Sequence, residues 1–239
     1  MPQGGLTWIK SESSGGCLYG VDVVDEQTVW VCGRMRGQSF GTPGGIRLSL
    51  DGGQTWEEQT AYDTKPGFCP LSFLDTQVGW VANAGKLIAT ADGGATWEEL
   101  ALPDGSAEIV AISLRAPGEG HVLDHAGNLY TTLDGGQSWS SQSLGLEKYG
   151  ELKMFPLAET AVAAMRFFDA DNGVVILNLV GGGDSKIIAL RTADGGQTWE
   201  EENVPCQIGI PYLTRDGQFL TVAELLNTST LTLLRYGGN

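Results

Sequence analysis

Carboxylates are the groups in this chain most able, by number and spacing, to do chemistry. Four of them, Asp51, Asp92, Asp134 and Asp194, stand in one recurring octet, Ser/Thr-x-Asp-Gly-Gly-x-Ser/Thr-Trp, which ends on Trp56, Trp97, Trp139 and Trp199. Acids that converge within about 5–10 Å could cleave a glycosidic bond. Here each aspartate is followed by two glycines instead. Asp-Gly-Gly between two strands is a tight turn, because such turns need residues that accept positive φ. The Ser or Thr two positions earlier can bond the carboxylate across the turn, and the Trp projects from the next strand into apolar packing. These four aspartates and their tryptophans are therefore expected to be structural.

Outside the boxes the nearest acid set is Asp22, Glu108 and Glu159, and only Asp22 falls within an innermost strand. Asp22 and Arg166 are the weak catalytic candidates. His121 and His125 alternate along one strand, with no carboxylate or cysteine at a telling spacing, and read as packing and loop histidines. Cys17, Cys32, Cys69 and Cys206 lack the Cys-x-x-Cys spacing of a zinc site. A thiolate metal site, two disulfides and four buried thiols all remain open for them. No glycine-rich phosphate cradle precedes a helix, and no cofactor is expected.

These side chains must be carried by repeated units. The interval from Trp8 to Trp56 is 48 residues, and the next three, to Trp97, Trp139 and Trp199, are 41, 42 and 60. Units of about 40–45 residues fit a four-stranded propeller blade. A worn copy opens the chain, Gly4-Gly5-Leu6-Thr7-Trp8 with Gln3 in the aspartate's place, and a half copy, Tyr236-Gly237-Gly238-Asn239, closes it. The spacing predicts one all-β domain over 1–239, a five-bladed propeller. Its blades cover approximately 18–59, 67–101, 107–142, 160–203 and 207–239, the last completed by a strand at 4–10 that closes the ring. Closure hides two strand edges.

Aligned on the aspartates that end them, the innermost strands place Asp22, Ser72 and Arg166 in one row, with Ser113 joining it. This row could line the central channel, either as the floor of a small-ligand site or as structural plugging. The box turns share a face with the first-to-second-strand turns. The opposite face takes the longer loops, including the insertion at 140–160, and long loops tend to carry function. It holds Arg34, Arg36, Tyr62, Lys65, Lys86, His125, Lys148, Tyr149, Lys153, Asp184 and Lys186. Of these, Arg34, Arg36, Lys86, His125, Lys148, Tyr149, Asp184 and Lys186 are the expected ligand-binding residues. So many cations on one face of an acidic chain hint at an anionic or polyhydroxy ligand.

The octet resembles the Asp-box (BNR) repeat of sialidases, sortilin-type receptors, xyloglucan-degrading glycosidases and the photosystem II stability/assembly factors. The further pairing of an inner strand ending Phe-x-Asp with Gly-Trp-x-x, and of a box with Thr-Trp-Glu-Glu, most resembles the assembly factors. The resemblance covers the whole chain and implies a non-enzymatic propeller that holds a partner protein. The chain differs in counting five units where that family has seven, and in being acidic where the resemblance implies a basic docking patch. The Arg-Ile-Pro motif of the sialidases is absent, since Arg47 follows Gly45-Ile46.

Composition narrows the partners. A net charge of −15 and a pI near 4.4 repel phosphate backbones and anionic membranes, so nucleic acid is not an expected ligand. With 41% hydrophobic residues the chain can bury a core, but no window is apolar enough to cross a membrane. The start, Met1-Pro2-Gln3-Gly4-Gly5, has neither the basic nor the apolar region of a signal peptide. A cytoplasmic chain and a mature exported one would read alike. The expectation is a monomeric binding or scaffold propeller recognising a protein or a small ligand on its loop face. The alternative is a glycosidase or lyase at the channel mouth.

Overall fold

The computed structural model describes residues 17–34, 45–59, 69–83, 85–154, 163–204, 210–213, 219–223 and 231–235. The first blade is β1 (Cys17–Val23), β2 (Val29–Arg34), β3 (Gly45–Ser49) and β4 (Glu57–Glu58), each strand antiparallel to the next. The second is β5 (Leu71–Phe73), β6 (Gly79–Asn83), β7 (Lys86–Thr90) and β8 (Glu98–Leu100). The third is β9 (Ile109–Ala116), β10 (Glu119–Asp124), β11 (Asn128–Thr132) and β12 (Ser140–Ser143). The fourth holds β13 (Lys153–Met154), β14 (Ala163–Phe167), β15 (Asn172–Gly181), β16 (Asp184–Ala193) and β17 (Glu200–Asn203). The strands β18 (Ile210–Leu213), β19 (Phe219–Ala223) and β20 (Leu231–Arg235) make a three-stranded sheet.

The architecture is thus an all-β propeller that shows four complete blades among the described residues, not the five expected. Among the described residues the last unit supplies three strands, and residues 4–10, which would complete it and close the ring, lie outside the described residues. The insertion is also shorter than read. Ser140–Ser143 forms the outer strand of the third blade. Lys153–Met154 already pairs with Val180 and Leu179 of the fourth, end to end with β14 along β15.

Each box builds its turn identically. The hydroxyl of Ser49, Thr90, Thr132 or Thr192 donates to the aspartate Oδ1 at 2.8–2.9 Å, and accepts the N–H of Gly53, Gly94, Gly136 or Gly196 at 2.7–2.9 Å. The carboxylate then accepts the backbone N–H and the hydroxyl of Thr55, Thr96, Ser138 or Thr198, the hydroxyl at 2.6 Å in all four. The second glycine sits at φ 84–91°, which side chains avoid. The preceding glycine donates across to the turn between the first two strands, Gly52 to Gln27, Gly93 to Gln77, Gly135 to Gly118 and Gly195 to Asp171. Boxes and first turns therefore do share one face. In three blades that turn is itself capped by an aspartate, Asp25, Asp75 or Asp169, accepting two backbone N–H groups.

The core lies in the seams between blades. One cluster joins Trp30, Cys32, Ile46 and Leu48 to Cys69, Leu71 and Phe73, and two more fill the following seams. Trp30 stacks on Phe73 with ring centroids 3.9 Å apart, and His121 stacks on Phe167 at 3.5 Å. Trp139 leans on Trp80 and donates its indole N–H to Ala101 O at 2.8 Å, tying the third blade to the second. Cys32 and Cys69, both buried, form a disulfide across the first seam. Gly20 lies directly opposite Cys32 in the ladder, and a Cβ there would run into Cys69 O and Cys32 Sγ.

Candidate functional site

The innermost strands bring together the predicted polar row. Asp22, Ser72, Ser113 and Arg166 occupy equivalent ladder positions, opposite Trp30, Trp80, His121 and Val174. Asp22 is 2% exposed, Ser72 1% and Ser113 0%. Their oxygens turn to the next blade. Asp22 Oδ2 accepts the Phe73 N–H at 2.7 Å, Ser72 Oγ the Leu114 N–H at 3.0 Å, and Ser113 Oγ the Phe167 N–H at 2.8 Å. Arg166 reaches back to Asp22, NH2 to Oδ1 at 3.4 Å. Buried polar atoms need partners, and here the side-chain oxygens of Asp22, Ser72 and Ser113 find them on neighbouring blades. The geometry is that of a structural girdle; Asp22 and Arg166 hold one another instead of standing as a free acid and base.

A second group forms where the third blade meets the fourth. The turn of 3₁₀ helix at Leu146–Tyr149 carries Lys148 and Tyr149, and β16 carries Lys186. All three converge on Glu201 of β17. Tyr149 OH donates to its Oε2 at 2.6 Å, Lys186 Nζ to its Oε1 at 2.7 Å, and Lys148 Nζ lies 3.6 Å from Oε2. Both ammoniums also flank the Tyr149 ring, at 4.9 and 5.1 Å from its centroid. The Lys186 bond, then that of Tyr149, holds the Glu201 carboxyl below its usual range, while burial followed by Glu201 pushes the Tyr149 phenol up. Glu201 was not foreseen: it repeats the Glu-Glu that follows other boxes, so only its neighbours distinguish it. Lys153, on β13, is exposed.

The remaining predicted residues are dispersed. Lys86 bonds Glu99 at 2.6 Å on the second blade, Asp184 is exposed at the tip of the β15–β16 hairpin, and His125 follows β10 with its N–H on Glu108 O. Glu108 is exposed. Arg36, Tyr62, Lys65, Glu159 and Cys206, and the side chains of Arg34 and Cys17, lie outside the described residues. Of the alternatives for the cysteines, Cys32 and Cys69 take the disulfide. Among the described residues no three His, Cys, Asp or Glu gather to hold a metal.

His121 is 6% exposed. Its Nδ1 lies 3.0 Å from Thr131 Oγ1. Burial, helped by Arg115, lowers its pKa to about 4. A neutral packing ring is the role this supports. Asp124, also unforeseen, is fully buried and accepts from the N–H groups of Ala107, Ala126 and Asn128, the Asn128 amide and Tyr130 OH. A carboxylate so enclosed organises the loop before β11.

The comparisons agree with the resemblance read from the boxes. Residues 61–166, less than half of the chain, match the family model described as photosynthesis system II assembly factor YCF48. No curated protein matches the chain in sequence. Among solved structures, YCF48 from Cyanidioschyzon merolae is 15% identical over 93% of this chain and 72% of that one, with a TM-score of 0.57. A structure described as YCF48 bound to D1 peptide is 18% identical over 95% of both chains, at a TM-score of 0.46. The GH74 enzyme of Niastella koreensis is 14% identical over 92% of this chain, which spans 36% of that enzyme, at a TM-score of 0.56. The chain is an Asp-box propeller similar to the YCF48 family, and the fold is shared with glycosidases.

Proposed function

We propose that the chain is a non-enzymatic binding scaffold that holds a protein segment on its loop face. The observation that carries this reading is the match of 61–166 to an assembly-factor family. The state of the acids supports it: Asp22, the inner-strand acid expected of an enzyme, is committed to Phe73 N–H and Arg166. Arg34, Arg36, Lys86, His125 and Asp184 are the contacts we assign to the partner. Lys148, Tyr149 and Lys186 are given a bracing role at the rim, with their half-exposed ammoniums still able to reach a ligand. At this acidity the partner is not nucleic acid. Among the described residues no helix is long and apolar enough to cross a membrane.

The reading includes a single monomeric domain over 1–239, in which residues 4–10 complete the three-stranded sheet as the outer strand of a fifth blade and close the ring. Deleting 1–10 should then lower the melting temperature.

The test of function is a titration of the purified chain against arrayed peptides and a glycan panel, read by thermal shift, since a ligand stabilises the native state by mass action. Peptide binding that is lost in Arg34→Ala/Arg36→Ala, at unchanged melting temperature, is the expected result. Glycan turnover abolished by Asp22→Asn would overturn it in favour of a carbohydrate-active enzyme.

A further inference from the structure

An aspartate followed by glycine can close on itself, because no glycine side chain hinders the approach. The glycine nitrogen attacks the aspartate Cγ, a C–O bond breaks, water leaves, and a five-membered imide remains. Water then adds back to either carbonyl. Addition at Cγ restores aspartate; addition at the backbone carbonyl leaves isoaspartate, with the chain running through Cβ and Cγ. Both the carboxyl and the glycine N–H must be released from other bonds first. Six Asp-Gly pairs stand in the sequence, beginning at Asp51, Asp92, Asp104, Asp134, Asp194 and Asp216, the last outside the described residues.

The four box pairs are locked. Each carboxylate accepts three hydrogen bonds, from the hydroxyl two positions before it and from the N–H and hydroxyl four positions after it. Each following glycine N–H is engaged as well, on the neighbouring turn at 2.8–3.0 Å. The single Asn-Gly pair, Asn172-Gly173, is held in the same manner: the Asn172 amide donates to both oxygens of Asp169 at 3.0 and 2.9 Å.

Asp104-Gly105 has none of this. It lies where the chain crosses from β8 to β9, in a turn closed by the Ser106 N–H on Pro103 O at 3.1 Å, with Gly105 at φ 81°. Both residues are exposed, and a Cβ at Gly105 would meet nothing within 4 Å. Among the described residues the Asp104 carboxylate accepts no hydrogen bond and the Gly105 N–H donates none. The crossing is anchored on either side of the turn. Ala101 O holds the Trp139 indole, Leu102 packs on the core of the adjoining seam, and the Ala107 N–H donates to Asp124 at 3.1 Å.

We propose that Asp104 is a site of isoaspartate formation in the folded protein, while the box aspartates are shielded by their own turns. The added backbone atom is taken up between the anchors at Ala101 and Ala107. Modification therefore re-aims one carboxylate on the face opposite the box turns and leaves the blades joined.

Prolonged incubation of the purified chain at neutral pH tests this, followed by proteolysis, isoaspartyl methyltransferase labelling and mass spectrometry of the peptides. Isoaspartate should accumulate at 104 at least about tenfold faster than at 51, 92, 134 or 194, because a box must first break several hydrogen bonds. The same incubation in urea, where the turns are lost, should bring the box aspartates up to the rate of Asp104. Asp104→Glu should abolish the signal at that position, and the aged unaltered protein should keep its melting temperature. Equal rates at 104 and at the boxes in the folded chain would overturn the proposal. So would a rate at 104 that rises about tenfold or more in urea, since the folded turn would then be shielded too. A fall in melting temperature that tracks modification would overturn the claim that the anchors absorb it.

Discussion

Asp22 and Arg166, 144 positions apart in the chain, meet between the innermost strands of the first and fourth blades, Oδ1 to NH2 at 3.4 Å. Asp22 is almost wholly buried, and its other oxygen holds the Phe73 N–H at 2.7 Å. One carboxylate thus serves a neighbouring blade and a distant one. Removing it costs more than either contact alone suggests, because a buried N–H and a largely buried guanidinium lose their partner together.

Asp22→Ala is accordingly expected to destabilise the protein by about 3 kcal/mol in urea unfolding. Asp22→Asn keeps an oxygen for Phe73 and should cost about 1 kcal/mol. Equal losses in the two variants would show that the hydrogen bond to Phe73 contributes nothing.

His121 should make stability depend on pH. Its native pKa lies near 4 against an ordinary 6.5, because burial opposes its charged form. Between those values the unfolded chain binds a proton that the native one refuses, so stability rises with pH through that window. It is fully present above about pH 6.5 and lost as pH falls to 4, by up to about 3 kcal/mol. His121→Phe, which keeps a ring on Phe167, should flatten the dependence of the urea midpoint between pH 7 and pH 4.5. A second loss should begin below pH 4. The box hydroxyls and backbone N–H groups hold Asp51, Asp134 and Asp194 near 2, and stability from these depressed carboxyls is lost as pH falls through that range.

The Cys32–Cys69 disulfide encloses 37 positions of chain, a loop whose closure stabilises by about 4 kcal/mol on the chain-entropy account. A dithiol reductant should lower the melting temperature of the unaltered chain and leave Cys32→Ala/Cys69→Ala unmoved. Gly20→Ala should lower it as well, since the new Cβ would meet the Cys69 backbone oxygen and crowd Cys32 Sγ.

The box hydroxyl is the pivot of its turn. Thr132 is 1% exposed, donates to Asp134 and accepts from Gly136. Thr132→Val keeps the shape but orphans the Gly136 N–H, at a cost of about 1–3 kcal/mol in chemical denaturation. Leu133→Ala, at a side chain 73% exposed, should leave stability unchanged.

Much of the fold was legible because its signals are local. Asp-Gly-Gly dictates a turn wherever it stands, and alternating strands either side of it dictate a hairpin. The shared face of the box turns, the row at Asp22, Ser72, Ser113 and Arg166, and the packing role of His121 all follow from strand period and register. The blade count did not follow. Spacing measures how many units the chain begins, whereas a complete blade requires a fourth strand to pair, and pairing is a contact between distant segments.

The candidate site divides along the same line. The sequence by itself determined an all-β Asp-box propeller and an acidic chain, since turn chemistry, periodicity and charge need no neighbours. Only the tertiary structure decided what the polar groups do. It turned Asp22, Ser72 and Ser113 into acceptors for the adjoining blade, gathered Lys148, Tyr149 and Lys186 on Glu201, and joined Cys32 to Cys69. A hydrogen bond, an ion pair or a disulfide is a relation between two residues at about van der Waals range. Which two meet is fixed by how the blades pack, and no single stretch of the chain contains that.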